Sequence, residues 1–188
     1  MDVSNQNIVL IGMPGSGKST IGVLVAKALG MDFLDVDLVI QQQEGKLLQE
    51  LVDELGPQRF LDLEEDVVCA LSCSGTVIAP GGSAVCRAGA ARHLKQLGTL
   101  VYLHLPCEAL IHRLSNMATR GIAMEPGQTL QDIYDYRTPI YQTWADVTVD
   151  AAGQALEETA AAVLSALHAP ESVLRHWPSP HSGRGSAE

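Results

Sequence analysis

The stretch Gly12-Met13-Pro14-Gly15-Ser16-Gly17-Lys18-Ser19-Thr20 constrains this chain more than any other. It follows the apolar run Ile8-Val9-Leu10-Ile11 and leads into Ile21, Val25 and Leu29 at helical spacing. The pattern G-x-x-x-x-G-K-[ST] between a strand and a helix is a P-loop. Glycines let the backbone curl so that successive N–H groups turn inward and cradle a polyphosphate. The following helix adds the positive end of its dipole. Gly12, Gly15, Ser16, Gly17, Lys18, Ser19 and Thr20 are therefore candidate nucleotide-binding residues. Lys18 has the reach to meet the β- and γ-phosphates, and the Ser19 hydroxyl suits Mg²⁺.

The strand-like runs after the first are Phe33–Val36, Thr76–Ala79, Leu100–Leu103 and Val147–Val149. Amphipathic helical stretches lie between them: Leu47–Leu55, Phe60–Leu71, Ala90–Leu97, Glu108–Leu114 and Leu130–Trp144. A last one spans about Gln154 to Leu167. Alternating strands and helices predict an α/β fold, a parallel sheet with helices on both faces and buried strands. Ligands of such sheets gather at the carboxyl ends of the strands. With 188 residues, residues 1–168 are expected to form one domain with its own core. Residues 169–188, rich in Pro, Ser and Gly, read as a flexible tail with Trp177 its one large anchor.

Net charge is −10, which argues against nucleic acid and anionic membranes as partners. No apolar run reaches the roughly 18–20 residues of a spanning helix, and no secretory signal precedes the first strand. A soluble cytoplasmic monomer acting on a small molecule is the expectation. Cys69, Cys73, Cys86 and Cys107 read as reduced thiols, with Cys69 and Cys73 sharing a helix face.

Three further groups carry candidate chemistry. Asp35 and Asp37 follow the second strand, and on an extended chain residues i and i+2 project to one face. One carboxylate would support Mg²⁺ and the other would receive a hydroxyl proton, although Asp37 also suits a helix N-cap. Gly81 and Gly82 follow the third strand, either as a ligand-facing turn or as a plain tight turn. Arg113, Arg120 and Arg137 fall in the second half, and each suits a phosphate or carboxylate or else a surface ion pair. Arg120 opens a loop-like stretch with Gly121, Pro126 and Gly127, which predicts a lid over about residues 117–128.

On these residues the chain resembles the shikimate kinases, from about Asn7 to Leu167. The likeness rests on GMPGSGKST, on Phe33-Leu34-Asp35-Val36-Asp37, on Leu110 to Arg120, and on YRTPIYQTWAD from Tyr136 to Asp146. It implies a three-layer P-loop kinase fold with a five-stranded parallel sheet, a lid and a substrate-binding segment, and a need for ATP and Mg²⁺. Lys18, Ser19 and Asp35 would then handle phosphates and Mg²⁺. Lys18, Asp37 and Arg120 would be catalytic, Arg113 would lie against adenine, and Arg137 would take a substrate carboxylate. Gly81, Gly82, Leu61 and Glu64 would complete the acceptor site.

The acceptor half departs from the family pattern. Gly56-Pro57-Gln58-Arg59-Phe60-Leu61-Asp62-Leu63-Glu64 stands where the family has G-E-x-x-F-R-x-x-E, so Leu61 replaces a carboxylate-binding arginine. Arg59 is about 200° away around a helix and faces elsewhere. Pro80 replaces one glycine of a triplet, and Arg120-Gly121-Ile122-Ala123 stands for R-P-L-L. Glu64 remains without that arginine, which opens the possibility of an ammonium-bearing acceptor such as homoserine. The expected activity is ATP-dependent phosphorylation of a hydroxyl on a small carboxylate-bearing metabolite. Shikimate is the family default, an amino-acid alcohol is the alternative, and a gluconate-type acid comes third. A nucleotide-binding regulator without catalysis is the rival from another class.

Overall fold

A computed structural model describes residues 6–115, 124–125, 127–169 and 171–175. Five strands, β1 (Asn7–Ile11), β2 (Asp32–Asp35), β3 (Thr76–Ala79), β4 (Gly98–His104) and β5 (Val147–Asp150), form one sheet. Their order is β2-β3-β1-β4-β5, and every pairing is parallel. The expected α/β, P-loop kinase-like architecture is what the chain adopts.

Side chains alternate across the strands and feed two cores. Ile8 and Leu10 of β1, with Val101 and Leu103 of β4, pack under α1 (Lys18–Leu29) and α8 (Leu156–Ala166). Val9, Ile11, Leu100 and Tyr102 point to the other face. That face is covered by α2 (Val36–Glu44), α3 (Leu48–Leu55), α4 (Pro57–Cys69), α5 (Ala88–Leu97), α6 (Cys107–Ser115) and α7 (Leu130–Trp144). Central strands buried on both faces explain the continuous apolar runs. The edge strands β2 and β5 are partly exposed, unlike the buried strands expected throughout.

Local chemistry sets the boundaries. The second strand stops at Asp35, one residue earlier than expected, because the Asp35 carboxylate accepts the Asp37 N–H at 3.0 Å and caps α2. The N-cap is Asp35 and not Asp37. Thr129 and Asp132 form a capping box that starts α7. Helix α4 ends at Cys69, so Cys69 and Cys73 do not share a helix face. Beyond α8, residues Glu171–Arg175 form α9, and Val173 and Leu174 pack on the α1–α8 core. The flexible tail expected from residue 169 thus begins with ordered chain, and Trp177 lies outside the described residues. No helix among the described residues is long and apolar enough to cross a membrane.

Candidate active site

The P-loop turns between β1 and α1 through Gly12, Gly15 and Gly17, with φ of 147°, 81° and 99°. At Gly12 a Cβ would stand 2.8 Å from the Leu103 carbonyl oxygen, so both the backbone angle and the space demand glycine. Lys18 is buried, and its ammonium donates to the carbonyls of Gly12 at 3.0 Å and Met13 at 3.1 Å. Burial pushes its pKa down to about 8, while Asp37 and Glu64 pull in the opposite direction. Ser16 is fully buried, and its hydroxyl has no hydrogen-bond partner among the described residues. The first turn of α1 has no side-chain cap.

An orphaned hydroxyl, a buried ammonium and an uncapped helix N-terminus fit a polyphosphate. Ser19 and the nearby carboxylates are hard oxygen donors that suit Mg²⁺. Gly15, Gly17, Lys18 and Ser19 line the cleft, whereas Thr20 is exposed on the first turn of α1.

Opposite the P-loop stand Asp37, Glu64, the Gly81–Ser83 turn and Arg137. Asp37 sits in the first turn of α2 and lines the cleft, and Asp35 does not. The two carboxylates do not share a face of an extended strand, because the chain enters the helix between them. Asp35 remains close enough to act electrostatically on Lys18.

Glu64 falls on the buried face of α4 with Phe60, Val67 and Val68. It is only 2% exposed, and a carboxylate at that depth needs partners. The Ser83 hydroxyl donates to its Oε2 at 2.5 Å. Burial, and then the negative charge of Asp37, push its pKa up to about 7, against the pull of the Ser83 bond, Arg137 and Lys18. Gly81 is what lets the carboxylate fit, since a Cβ there would stand 1.9 Å from Glu64 Oε1 and 3.1 Å from Asp37 Oδ1. Gly82 similarly makes room for the Pro14 ring, with a Cβ–Cδ distance of 2.7 Å. Both glycines line the cleft, and the close approach they permit is to the protein's own side chains.

Arg137 is 5% exposed and lies on the inner face of α7 between Ile133 and Tyr141, one turn away on either side. Tyr141 was not singled out by sequence, yet it ties the site together. Its hydroxyl donates to the Gly82 carbonyl at 2.5 Å, and its ring stacks on Tyr102 with centroids 5.1 Å apart. The signal was its four-residue spacing from Arg137.

Arg113 of α6 reaches over the P-loop, its Nη1 donating to the carbonyls of Gly15 at 3.4 Å and Ser16 at 3.5 Å. Arg120 and most of the expected lid lie outside the described residues. At the described end of that segment, the Gln58 side-chain amide donates to Glu125 at 3.0 Å, linking it to the start of α4.

A second cavity, of about 280 Å³, adjoins the P-loop cleft and shares Ser83 and Arg137 with it. Leu61 lines this second cavity, whereas Glu64 lines the first. Arg87, just before α5, faces the second cavity too. No local sequence pattern marks Arg87, because its neighbours there come from α4 and α7.

Residues 14–168 match the family model described as shikimate kinase. The shikimate kinase of Thermodesulfovibrio yellowstonii is 35% identical over 162 residues, covering 85% of this chain and 93% of that protein. The structure of a shikimate kinase from Acinetobacter baumannii in complex with shikimate superposes with a TM-score of 0.78 at 31% identity, covering 88% of this chain and 94% of that one. Threonine synthase-like 1 of Pongo abelii is 35% identical over 187 residues, and there the chain spans 94% of its own length but 25% of that protein. The chain thus covers about a quarter of some curated relatives and nearly all of others. With a family match over most of its length and a P-loop cleft shared with Asp37, Glu64 and a buried arginine, the chain belongs to the shikimate kinase family, small-molecule phosphotransferases that use ATP with Mg²⁺.

Proposed function

We propose that this chain transfers the γ-phosphoryl group of ATP to the hydroxyl of a small carboxylate-bearing metabolite, with shikimate as its acceptor. The observation that carries the reading is one cleft lined by Lys18 and Ser19 on one wall and by Asp37 and Arg137 on the other. The similar Acinetobacter baumannii enzyme with bound shikimate supports the choice of acceptor.

The P-loop amides and the Lys18 ammonium would hold the β- and γ-phosphates and stabilise charge on the group in transfer. Mg²⁺, held at Ser19 with Asp35 in support, would neutralise phosphate charge. Asp37 would orient the alcohol and take up its proton, since a carboxylate at the helix start faces the lysine across the cleft. Arg137, buried and permanently charged, would take the acceptor carboxylate as a two-pronged hydrogen-bond donor. Arg113 would flank the base, and Arg120 would reach the transferring phosphate.

A second acceptor class is carried by Glu64. Its buried carboxylate faces the cleft while Leu61, one turn earlier on α4, brings no positive charge. An ammonium on the substrate would add a charged partner to the Ser83 bond that Glu64 already accepts, which describes an amino-acid alcohol such as homoserine.

A panel of alcohols with labelled ATP and the purified chain separates these readings. Label transfer to shikimate is the expected result. Transfer to homoserine without transfer to shikimate moves the assignment to the second class. ATP consumption that ignores every added alcohol overturns both and leaves a nucleotide-binding regulator or a hydrolase.

A further inference from the structure

The second cavity carries an inference of its own. Its volume of about 280 Å³ approaches the lower end of small-molecule sites, roughly 300 Å³. Its floor is apolar at Leu61 and Ile133, and two arginines, Arg87 and Arg137, face it from different elements. Among the described residues Glu125 is the one carboxylate in its lining, and its Oε1 already accepts from Gln58. Two cations face one engaged acid in the lining, and Asp62, outside the lining, pairs with Arg87 through a single nitrogen. In a chain of net charge −10, that concentration of positive charge inside one concavity points to an anionic ligand.

Arg87 has donors to spare. Its Nη2 donates to Asp62 Oδ1 at 2.6 Å, and more weakly to the Gln58 carbonyl at 3.4 Å and Gln58 Oε1 at 3.5 Å. All three contacts leave from one nitrogen of a five-donor fork. Its Nε is buried with no hydrogen-bond partner among the described residues. Buried polar atoms without partners are uncommon and destabilising, so a ligand that satisfies this one is favoured. Asp62 is exposed, with 63% of its side chain accessible, so its hold on Arg87 is a surface ion pair that a better-placed carboxylate can displace.

We propose that Arg87 is a specificity-determining residue, the second cation that with Arg137 grips the carboxylate of the acceptor. It supplies from the start of α5 the positive charge that position 61 of α4 lacks. The cavity then takes a compact hydroxy acid whose apolar frame lies on Leu61 and Ile133 and whose hydroxyl extends past Arg137 into the P-loop cleft. This rests on the carboxylate-bearing acceptor proposed above, and the experiment keeps the two apart.

The test uses the full chain, ATP, shikimate and the uncharged methyl ester of shikimate, with both turnover and calorimetric binding measured. Arg87→Ala is expected to raise the KM for shikimate by about 10- to 100-fold with kcat little changed, the size of a lost charged hydrogen bond. The KM for the ester and for ATP should stay near the wild-type values. Arg87→Lys should recover part of the loss, and Leu61→Arg in the Arg87→Ala background should recover more. Asp62→Asn should tighten shikimate binding by releasing the guanidinium. An unchanged KM and binding constant for shikimate in Arg87→Ala overturns the inference and leaves the kinase reading intact. Wild-type binding of shikimate that depends on Arg87, without phosphoryl transfer, overturns the kinase reading and supports the inference. Equal losses for acid and ester reveal a merely structural role and overturn it.

Discussion

The two halves of the cleft are built by different means. The P-loop half comes from nine consecutive residues, and its geometry is backbone geometry: three glycines at positive φ, an uncapped helix start and one lysine folded onto its own loop. The acceptor half is assembled from side chains on α2, α4, α7 and the turn after β3, with residues up to about a hundred positions apart. A backbone-built site tolerates few changes, because a Cβ at Gly12 meets a carbonyl of another strand. A side-chain-built site can exchange one contributor for another while the fold stands. Leu61 and Arg87 are where that freedom shows.

The comparison breaks most easily at Lys18. Lys18→Met keeps the buried stem and removes the charge. We expect turnover to fall by about 10²- to 10³-fold or more, the scale of losing a positioned donor to developing charge. The thermal midpoint should hold or rise, because burying the ammonium is already unfavourable enough to bring its pKa down to about 8. Activity within a factor of ten of the wild type in a labelled-ATP assay would show that the cleft is not used as described.

The acceptor half is probed next at Gly81. Gly81→Ala places a methyl group where Glu64 Oε1 now sits, 1.9 Å away, and Asp37 Oδ1 is 3.1 Å away. The carboxylates must shift, at about 1–3 kcal/mol of overpacking. Chemical denaturation should register that loss. Acceptor KM should rise, and ATP KM should move much less. A larger effect on ATP would mean that the two halves are not separable in the way their construction suggests.

Glu64 gives a pH test. Its folded-state pKa, near 7, lies above the ordinary value of 4.5. Between those two values the folded chain keeps a proton that the unfolded chain sheds. The stability this provides is complete below about pH 4.5 and is lost as pH rises through 7. Glu64→Gln removes the titration. The wild type should therefore lose stability relative to the variant as pH rises from about 4.5 to 7, read as the difference between two thermal midpoints. A difference that stays flat across that window would mean that Glu64 is ionised throughout and held by Arg137 and Lys18.

The same contrast decides how far the sequence could be read. The sheet was legible because central strands buried on both faces must be apolar throughout, as Ile8–Ile11 and Leu100–Leu103 are. The P-loop was legible because its residues are adjacent. Helix α2 was harder to read, since Val36–Glu44 buries only Val36 and Ile40, leaves Leu38 exposed and ends in the polar run Gln41-Gln42-Gln43-Glu44. Asp35 and Asp37 read as one extended pair, with a helix start at Asp37 as the alternative, and the chain forms the helix one residue earlier with Asp35 as its cap. Glu64 stood out only through the family pattern, although a lone carboxylate on the apolar face of α4 is itself a signal. Arg87 gave none, because an arginine before a helix resembles any surface residue until α4 and α7 close around it.

Tyr141 offers the finest test of whether the halves are joined rather than merely adjacent. Its hydroxyl donates to Gly82 from the acceptor turn, and the same oxygen lies 3.8 Å from the Met13 sulfur in the P-loop. Burial drives its pKa upward, so the hydroxyl stays a donor at any working pH. Tyr141→Phe retains the ring stacked on Tyr102 and removes the hydroxyl, and with it both the bond to Gly82 and the contact with Arg137. The Gly82 carbonyl then loses its bond, which is worth about 1 kcal/mol net. If the bond only supports the fold, the thermal midpoint drops slightly and both KM values hold. If it fixes the acceptor turn against the P-loop, acceptor KM rises several-fold with ATP KM unchanged, and the loss grows no larger when Gly81→Ala is added. Such non-additivity marks two changes acting on one turn, and a double-mutant cycle on acceptor KM measures it directly.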